Sequence, residues 1–588
     1  MQVHPRSEDS LGVEIQVARQ CLVVLTRVEP ADDLRQRLVV QPCLEVVALA
    51  HVRDDRPQAL GDLGLVDLAQ RAVPLLLALG DRPLLGDVHE DIPEFLGLLV
   101  HRNHTWSPVD KNLFVVSIQC TFCRVRGTTI LSARHFPAVT HVDDDPRAAL
   151  DAITEYPVFL AHNANVDALC HVDESVESVL NPPGEAWPES IDSPEALATA
   201  ITQTMARGDG DLLATTAEFD AWLAERLAPD EQRLGGQAAI MADLVSLLDG
   251  DPILWTYLLS DTQRAQFTHP ESIRFPVVDG DSLSFVPLSE APTTDQTKRN
   301  WIFEFSAGDR LFETTATADT RFIAATRPDR FNLETGLDPV VEQLGANVEC
   351  ALVSGYQSLK RVYDDGSTFD EHVERGAEFL RDLAAEGVTI QLEYGVTHKR
   401  DLRRALIEHV LPEIDAVGMD SRELELLCED LQYAGGGPGP DIVSQYRTLK
   451  DLLARLGVDC IKVHTTDYFL AVMDADAYLD PEYVAEGWAM AAVVAASKAT
   501  EGVIDEPSDL ESGLDVDFSP PGVASLSQLG SYLGVDDPGP DLVATHDGVA
   551  VAAHANRVVD DPVSTVGLGD SIAVSNFLLE NALSDSDF

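Results

Sequence analysis

The sequence predicts an α/β protein built on a mainly parallel sheet flanked by helices. Three observations carry this. Beyond residue 330, short apolar runs alternate with helix-period segments, as βαβ units do. Near its end the chain passes through a strand-like stretch and a Gly-containing turn into an apolar helix, and such sheets hold ligands at junctions of that kind. The hydrophobic fraction is 45%, enough for a packed core despite a formal net charge of −58.

The elements follow in order. Residues 156–161 read as a buried strand ending at His162-Asn-Ala-Asn-Val-Asp167. Helical patterns occupy 194–205 and 216–227, with shorter elements around polar turns at 252–258 and 272–286. Residues 301–305 and 320–324 alternate as strands do. Strands at 348–354, 388–394, 416–419 and 459–465 then precede helices at 372–386, 401–409, 421–431 and 481–499. The run 434–440 is too rich in Gly and Pro for regular structure, and the acidic stretch 501–521 reads as a solvated loop. No internal repeat is apparent.

The charge is uneven. Residues 1–135 hold 14 basic and 17 acidic residues, whereas 136–588 hold 27 and 82. The first segment also carries Cys21, Cys43, Cys120 and Cys123 and lacks clear strand or helix punctuation. It reads as a separate accessory domain or, preferably, as an upstream stretch wrongly included in the reading frame, with the true start near Val139 or Val142. The acidic remainder suits a folded protein adapted to high salt, where screening suppresses self-repulsion, and it excludes nucleic acid as a partner. Residues 1–40 contain no apolar signal region, and the uncharged stretches 72–80 and 487–497 are too short to span a membrane, so the expected location is cytoplasmic. Scattered cysteines do not suggest a disulfide framework, and Cys120-x-x-Cys123 stands alone.

The segment Thr565-Val-Gly567-Leu568-Gly569-Asp570-Ser571 carries the most chemistry. Its glycines let backbone N–H groups approach an anion at a helix start, and Asp570 is placed to take a proton from an attacking hydroxyl. A tight strand-to-helix turn with an N-terminal Asp would look the same. Residues 557–559 and 562–563 read as the short strand delivering the chain to it. Asn165 and Asp167 offer an amide and a carboxylate suited to sugar hydroxyls, or an Asx-turn capping a helix. Leu234-Gly-Gly236-Gln237-Ala-Ala lets backbone pass close to a ligand and aims an amide at it, or opens a tightly packed helix.

In this order, with Ile302-Phe-Glu-Phe305, Arg321-Phe-Ile, Ser354-Gly-Tyr-Gln357 and Val463-His464-Thr465, these motifs resemble the archaeal ADP-dependent sugar kinases over about residues 147–582. The resemblance implies a ribokinase-like large domain (136–170 and 330–588) with a smaller α/β lid and sugar-binding domain that takes up most of 171–329. It implies Asp570 as catalytic base, Gly567, Leu568 and Gly569 as phosphoryl-binding N–H groups, and Asn165, Asp167, Gly236 and Gln237 as sugar contacts. Glu423 sits where the family has Asn-x-x-Glu and Glu393 where it has His-x-Glu; with Asp570 they are the expected residues near Mg²⁺. Asp420 and Gln391 replace the family's Asn and His. Physically, phosphoryl transfer needs positioning, a divalent cation and a base, and no Walker-type loop is present to supply another anion site.

The co-substrate is expected to be ADP and the acceptor a sugar or sugar phosphate, acting on a monomer or small homo-oligomer. Basic residues are rare, so Arg321, Arg327 and Arg330, with Lys298, Arg299 and Lys462, lean the reading toward fructose 6-phosphate over glucose. Each of them singly reads as a surface ion pair. A glucokinase, an enzyme accepting both sugars, and a non-catalytic binding relic are the alternatives. His464 reads as a satisfied strand-end residue.

Overall fold

The computed structural model describes residues 146–586 except 327–335, 364, 396–398 and 434–436, together with Val142 and the backbone of five strands near the N-terminus. The chain divides into two compact units, 1–132 and 133–588. In the first, β1 (Gly12–Ala18), β2 (Val23–Leu25), β3 (Val46–Arg53), β4 (Leu96–His101) and β5 (Leu113–Cys120) form one antiparallel sheet in the order β2-β1-β3-β5-β4. The sequence shows no clear punctuation there.

The second unit is built on eleven strands. Its parallel centre runs β11 (Arg274–Asp279), β10 (Asp251–Leu254), β6 (Pro157–Ala161), β17 (Cys350–Val353), β18 (Thr389–Glu393), β19 (Ala416–Asp420) and β20 (Cys460–His464). Parallel strands are covered on both faces and therefore read as continuous apolar runs. Phe159, Ala351, Val353, Ile390 and Leu392 face one core, while Val158, Leu160, Cys350 and Leu352 face the other. Helices α3 (Phe369–Ala385), α4 (Ser421–Asp430), α5 (Ile442–Leu456) and α7 (Pro520–Leu533) close the first core. Helices α2 (Gln237–Leu247), α6 (Pro481–Glu501) and α8 (Leu568–Ser586) close the second.

Both edges are antiparallel. β12 (Ser282–Pro287) pairs with β11, and β21 (Tyr468–Asp474), β23 (Val549–Ala555) and β22 (Asp541–His546) extend the sheet beyond β20. All seven residues of β23, Val-Ala-Val-Ala-Ala-His-Ala, are buried, so no polar alternation announces this strand in the sequence.

A separate five-stranded sheet has the order β8-β16-β13-β7-β9, from β8 (Asp211–Thr215), β16 (Thr320–Thr326), β13 (Arg299–Phe305), β7 (Asn165–His171) and β9 (Glu231–Gly235). A two-stranded ribbon, β14 (Arg310–Leu311) and β15 (Thr314–Thr315), lies in the β13–β16 connection. One face of the sheet buries Ala168, Cys170, Trp301, Phe303 and Phe322 under α1 (Pro194–Arg207). Alternation leaves the opposite face to Asn165, Asp167, Arg233, Asn300 and Arg321.

Several expectations change. Asn165 and Asp167 start a central strand rather than an Asx-turn, because β13 and β9 satisfy their backbone on both sides. The span 171–329 divides between the two sheets: β10, β11 and β12 belong to the large one, α2 packs against it, and β7 begins the smaller one at Asn165. The expected strand at 557–563 is absent apart from a single bridge at Arg557, since β23 has already delivered the chain. Within 501–521, residues Leu510–Leu514 form a helix, because Ile504 and Leu510 bury against the second core. The described part of 434–440 has no regular structure. Arg327 and Arg330 lie outside the described residues.

Candidate active site

The polar face of the smaller sheet is a hydrogen-bonded set. Asp167 Oδ1 accepts from Asn165 Nδ2 at 2.7 Å and from Asn300 Nδ2 at 2.9 Å, and Asn165 Oδ1 accepts from Lys298 Nζ at 3.0 Å. Among the described residues no donor reaches Asp167 Oδ2, which leaves a carboxylate oxygen for a ligand hydroxyl. Burial raises the Asp167 pKa, against the Asn300 hydrogen bond and the charges of Lys298, Arg233 and Arg321. Asn300 and Arg233 were not foreseen. Each stands directly across from Asp167, a register that exists only once the strands pair.

Gly235 and Gly236 bring this face to the large domain. A β-carbon at Gly235 would meet Asn165 Nδ2 and sit 2.5 Å from Asp167 Oδ1. Gly236 has φ +89°, and a β-carbon there would lie 2.9 Å from Asn165 Oδ1. Gln237 follows at the first turn of α2. Its Oε1 accepts from Gly355 N at 3.1 Å and Gln357 Nε2 at 2.8 Å, which turns its amide nitrogen toward the Asp570 carboxylate. Three consecutive residues thus connect the Asn165–Asp167 pair to Asp570.

Asp570 lies in the first turn of α8, partly buried. Its pKa is raised to about 6, chiefly by desolvation and then by the neighbouring Glu393; Lys498, the Gln237 hydrogen bond and His464 oppose this. Gly567, at φ +68°, turns the chain so that α8 starts at Leu568. Glu393 Oε1 meets His464 Nε2 at 3.2 Å, and the ring packs toward Gly569. Burial opposes the His464 imidazolium, but the hydrogen bond to Glu393 and the charges of Glu393, Asp420 and Asp570 outweigh it, so its pKa is raised. His464 ends β20 and is hydrogen-bonded there, as expected, and its partner Glu393 also brings it into this cluster.

The family model for the ADP-specific phosphofructokinase/glucokinase conserved region matches residues 156–579. The chain belongs to this family. It is 28% identical to the ADP-specific phosphofructokinase of Thermococcus litoralis over 447 residues, 71% of this chain and 95% of that one. A solved structure of the last common ancestor of ADP-dependent phosphofructokinases from Methanosarcinales superposes with TM-score 0.65 at 28% identity, covering 75% of this chain and 96% of that chain. An ADP-dependent kinase in complex with fructose-6-phosphate and ADPβS superposes with TM-score 0.63 at 27% identity, covering 74% and 96%.

Within the family's motifs, the altered positions have local structural jobs here. Asp420 caps α4: its Oδ1 accepts from Glu423 N at 2.8 Å, while Glu423 Oε2 accepts from Asp420 N at 2.9 Å. Gln391 is buried, with Oε1 unpartnered among the described residues. Glu393, Glu423 and Asp570 do not gather into a cluster able to hold a metal directly, and none exists elsewhere among the described residues. Glu393 Oε2 is nevertheless a buried carboxylate oxygen with no partner among the described residues.

Two cations that leaned the sequence reading toward a phosphorylated acceptor are committed elsewhere. Arg299 pairs with Asp220 at 3.0 Å on the apolar side of the smaller sheet, and Lys462 is sealed in an ion pair with Glu580 of α8. Lys298 and Arg321 remain on the polar face, joined there by Arg233. No described helix is long and apolar enough to cross a membrane.

Proposed function

We propose that this chain is an ADP-dependent 6-phosphofructokinase, transferring the β-phosphoryl group of ADP to fructose 6-phosphate and releasing AMP. The observation that carries the reading is the continuous path from the Asp167 face, with Lys298, Arg233 and Arg321 around it, through Gly235–Gln237 to Asp570. A ring of cations beside a hydroxyl-binding carboxylate suits a sugar that already carries a phosphate. The names of the relatives and of the complex support the same acceptor.

In this reading Asn165 and Asp167 orient the sugar, and Gln237 holds both sugar and base in place. Asp570 accepts the proton of the attacking hydroxyl. The N–H groups of Gly567, Leu568 and Gly569, at the start of a 19-residue helix, receive the transferring phosphoryl group. Mg²⁺ fits the donor set, since a small hard cation binds through one or two carboxylates, keeps several waters, and would use the unpartnered Glu393 Oε2 and Glu423. When bound it would offset phosphate charge. The enzyme is read as cytoplasmic.

The reading is tested by a matrix of sugars against nucleotides in molar KCl with Mg²⁺, following AMP formation. Fructose 6-phosphate with ADP should be the fastest pair. Faster turnover of glucose, or of ATP as donor, would overturn it, and nucleotide binding without turnover would point to a relic. Gly235→Ala should raise the fructose 6-phosphate KM about tenfold or more by pushing Asn165 and Asp167 aside, with the KM for ADP changed less than about threefold. Steady-state kinetics in both substrates reads this directly.

A further inference from the structure

Lys498, near the end of α6, has no role in the motifs above. Its Nζ donates to Ser571 Oγ at 3.1 Å, and that hydroxyl in turn donates to Gly567 O at 2.8 Å. A β-carbon at Gly567 would lie 3.2 Å from Nζ, so the ammonium rests against the bare α-carbon of the turn. The chain carries 99 acidic residues, yet no described carboxylate lies within ion-pair distance of this ammonium. Asp570 and Asp243 act on it from farther away, and Arg233 opposes its charge. Elsewhere Lys450 and Lys462 each hold a carboxylate. A partly buried ammonium with one neutral partner, set against the Gly567–Gly569 turn, keeps its charge for an anion that arrives there.

We propose that Lys498 is a catalytic residue whose ammonium contacts the transferring phosphoryl group at this turn. The proposal rests on the kinase reading above. In the step it serves, the sugar oxygen forms a bond to the β-phosphorus of ADP. The bond from that phosphorus to the bridging oxygen breaks, and its electron pair leaves with AMP. The hydroxyl proton goes to Asp570. Lys498 transfers no proton; its charge offsets that gathering on the phosphoryl oxygens.

Lys498→Met and Lys498→Arg, assayed beside the wild type, test this. The Met variant should lose about 10²-fold in kcat with the fructose 6-phosphate KM within about threefold, and Arg should recover most of the loss. In calorimetric titrations Met should weaken ADP binding at least severalfold and leave AMP binding unchanged, because only ADP carries the β-phosphoryl group. A Met variant with kcat within threefold of wild type, a loss confined to the sugar KM, or equal weakening of ADP and AMP would overturn the proposal. A wild type inert toward every sugar would sink the kinase reading instead. The ADP-against-AMP difference would then still decide whether Lys498 meets a β-phosphoryl group, and a wild type that binds neither nucleotide would sink both.

Discussion

Asp570→Asn should lower kcat by at least about 10²-fold, since the amide cannot take the hydroxyl proton while its shape and its place in α8 are kept. The same substitution should stabilise the protein near neutral pH. The folded-state pKa of Asp570 stands at about 6, above its ordinary value of 3.8, so the folded protein holds this proton more tightly than the unfolded chain does. The stability this confers is complete below pH 4 and is lost as the pH climbs through 6. At pH 7 and above, the charged carboxylate therefore costs the fold on the order of 3 kcal/mol, which Asn removes. Activity should rise with pH through about 6 as the base ionises. Turnover, melting temperature and the pH–rate profile of the two proteins check all three. An Asn variant with near wild-type kcat would remove Asp570 from the role of base.

Lys462→Met should destabilise the large domain by about 3–5 kcal/mol, because it leaves the carboxylate of Glu580 buried without its cation. Both side chains are almost wholly inaccessible, and Glu580 Oε1 otherwise accepts from the neutral Tyr478 Oη at 2.7 Å, with Asn576 also beside the carboxylate. Making the second change, Lys462→Met with Glu580→Leu, should recover most of the loss, since a packed apolar pair needs no desolvation. Denaturant unfolding of the single and double variants measures this. If Lys462 were instead a sugar-phosphate ligand, the single variant would keep its stability and lose substrate affinity.

The distinction between those outcomes shows how far the sequence could be read. Lys298, Arg299 and Lys462 are equally basic on paper. Lys298 lies immediately before a strand whose polar edge faces the ligand side, and its ammonium reaches Asn165. Arg299, the next residue, points to the other face and finds Asp220 and the Trp301 ring. Lys462 is on a central parallel strand, where either face is buried, and Glu580 waits 118 positions later in the chain. A one-residue change of face decides between ligand and core, and face is fixed by which strands pair.

The site divides in the same way. Of the candidate site, Gly567–Asp570 and Gly236–Gln237 were legible because close backbone approach demands Gly and proton transfer demands a carboxylate. Asn300, Arg233 and Lys498 were not, because each acquires meaning only from a residue far away in sequence: Asp167 for the first two, the Gly567 turn for the third. Likewise, the strand–helix alternation revealed the parallel sheet as far as β20 but not its antiparallel end, since β21 follows β20, and β23 follows β22, with no helix between to continue the alternation.

The sequence alone therefore determined the α/β class, the motif order and the chemistry available at Asp570, all properties of local residue types and their spacing. Tertiary structure decided where the smaller sheet begins, which cations lie on its polar face, and that the altered motifs cap a helix or bury an amide. Those outcomes depend on strand register and helix docking, which bring together residues separated by a hundred positions or more.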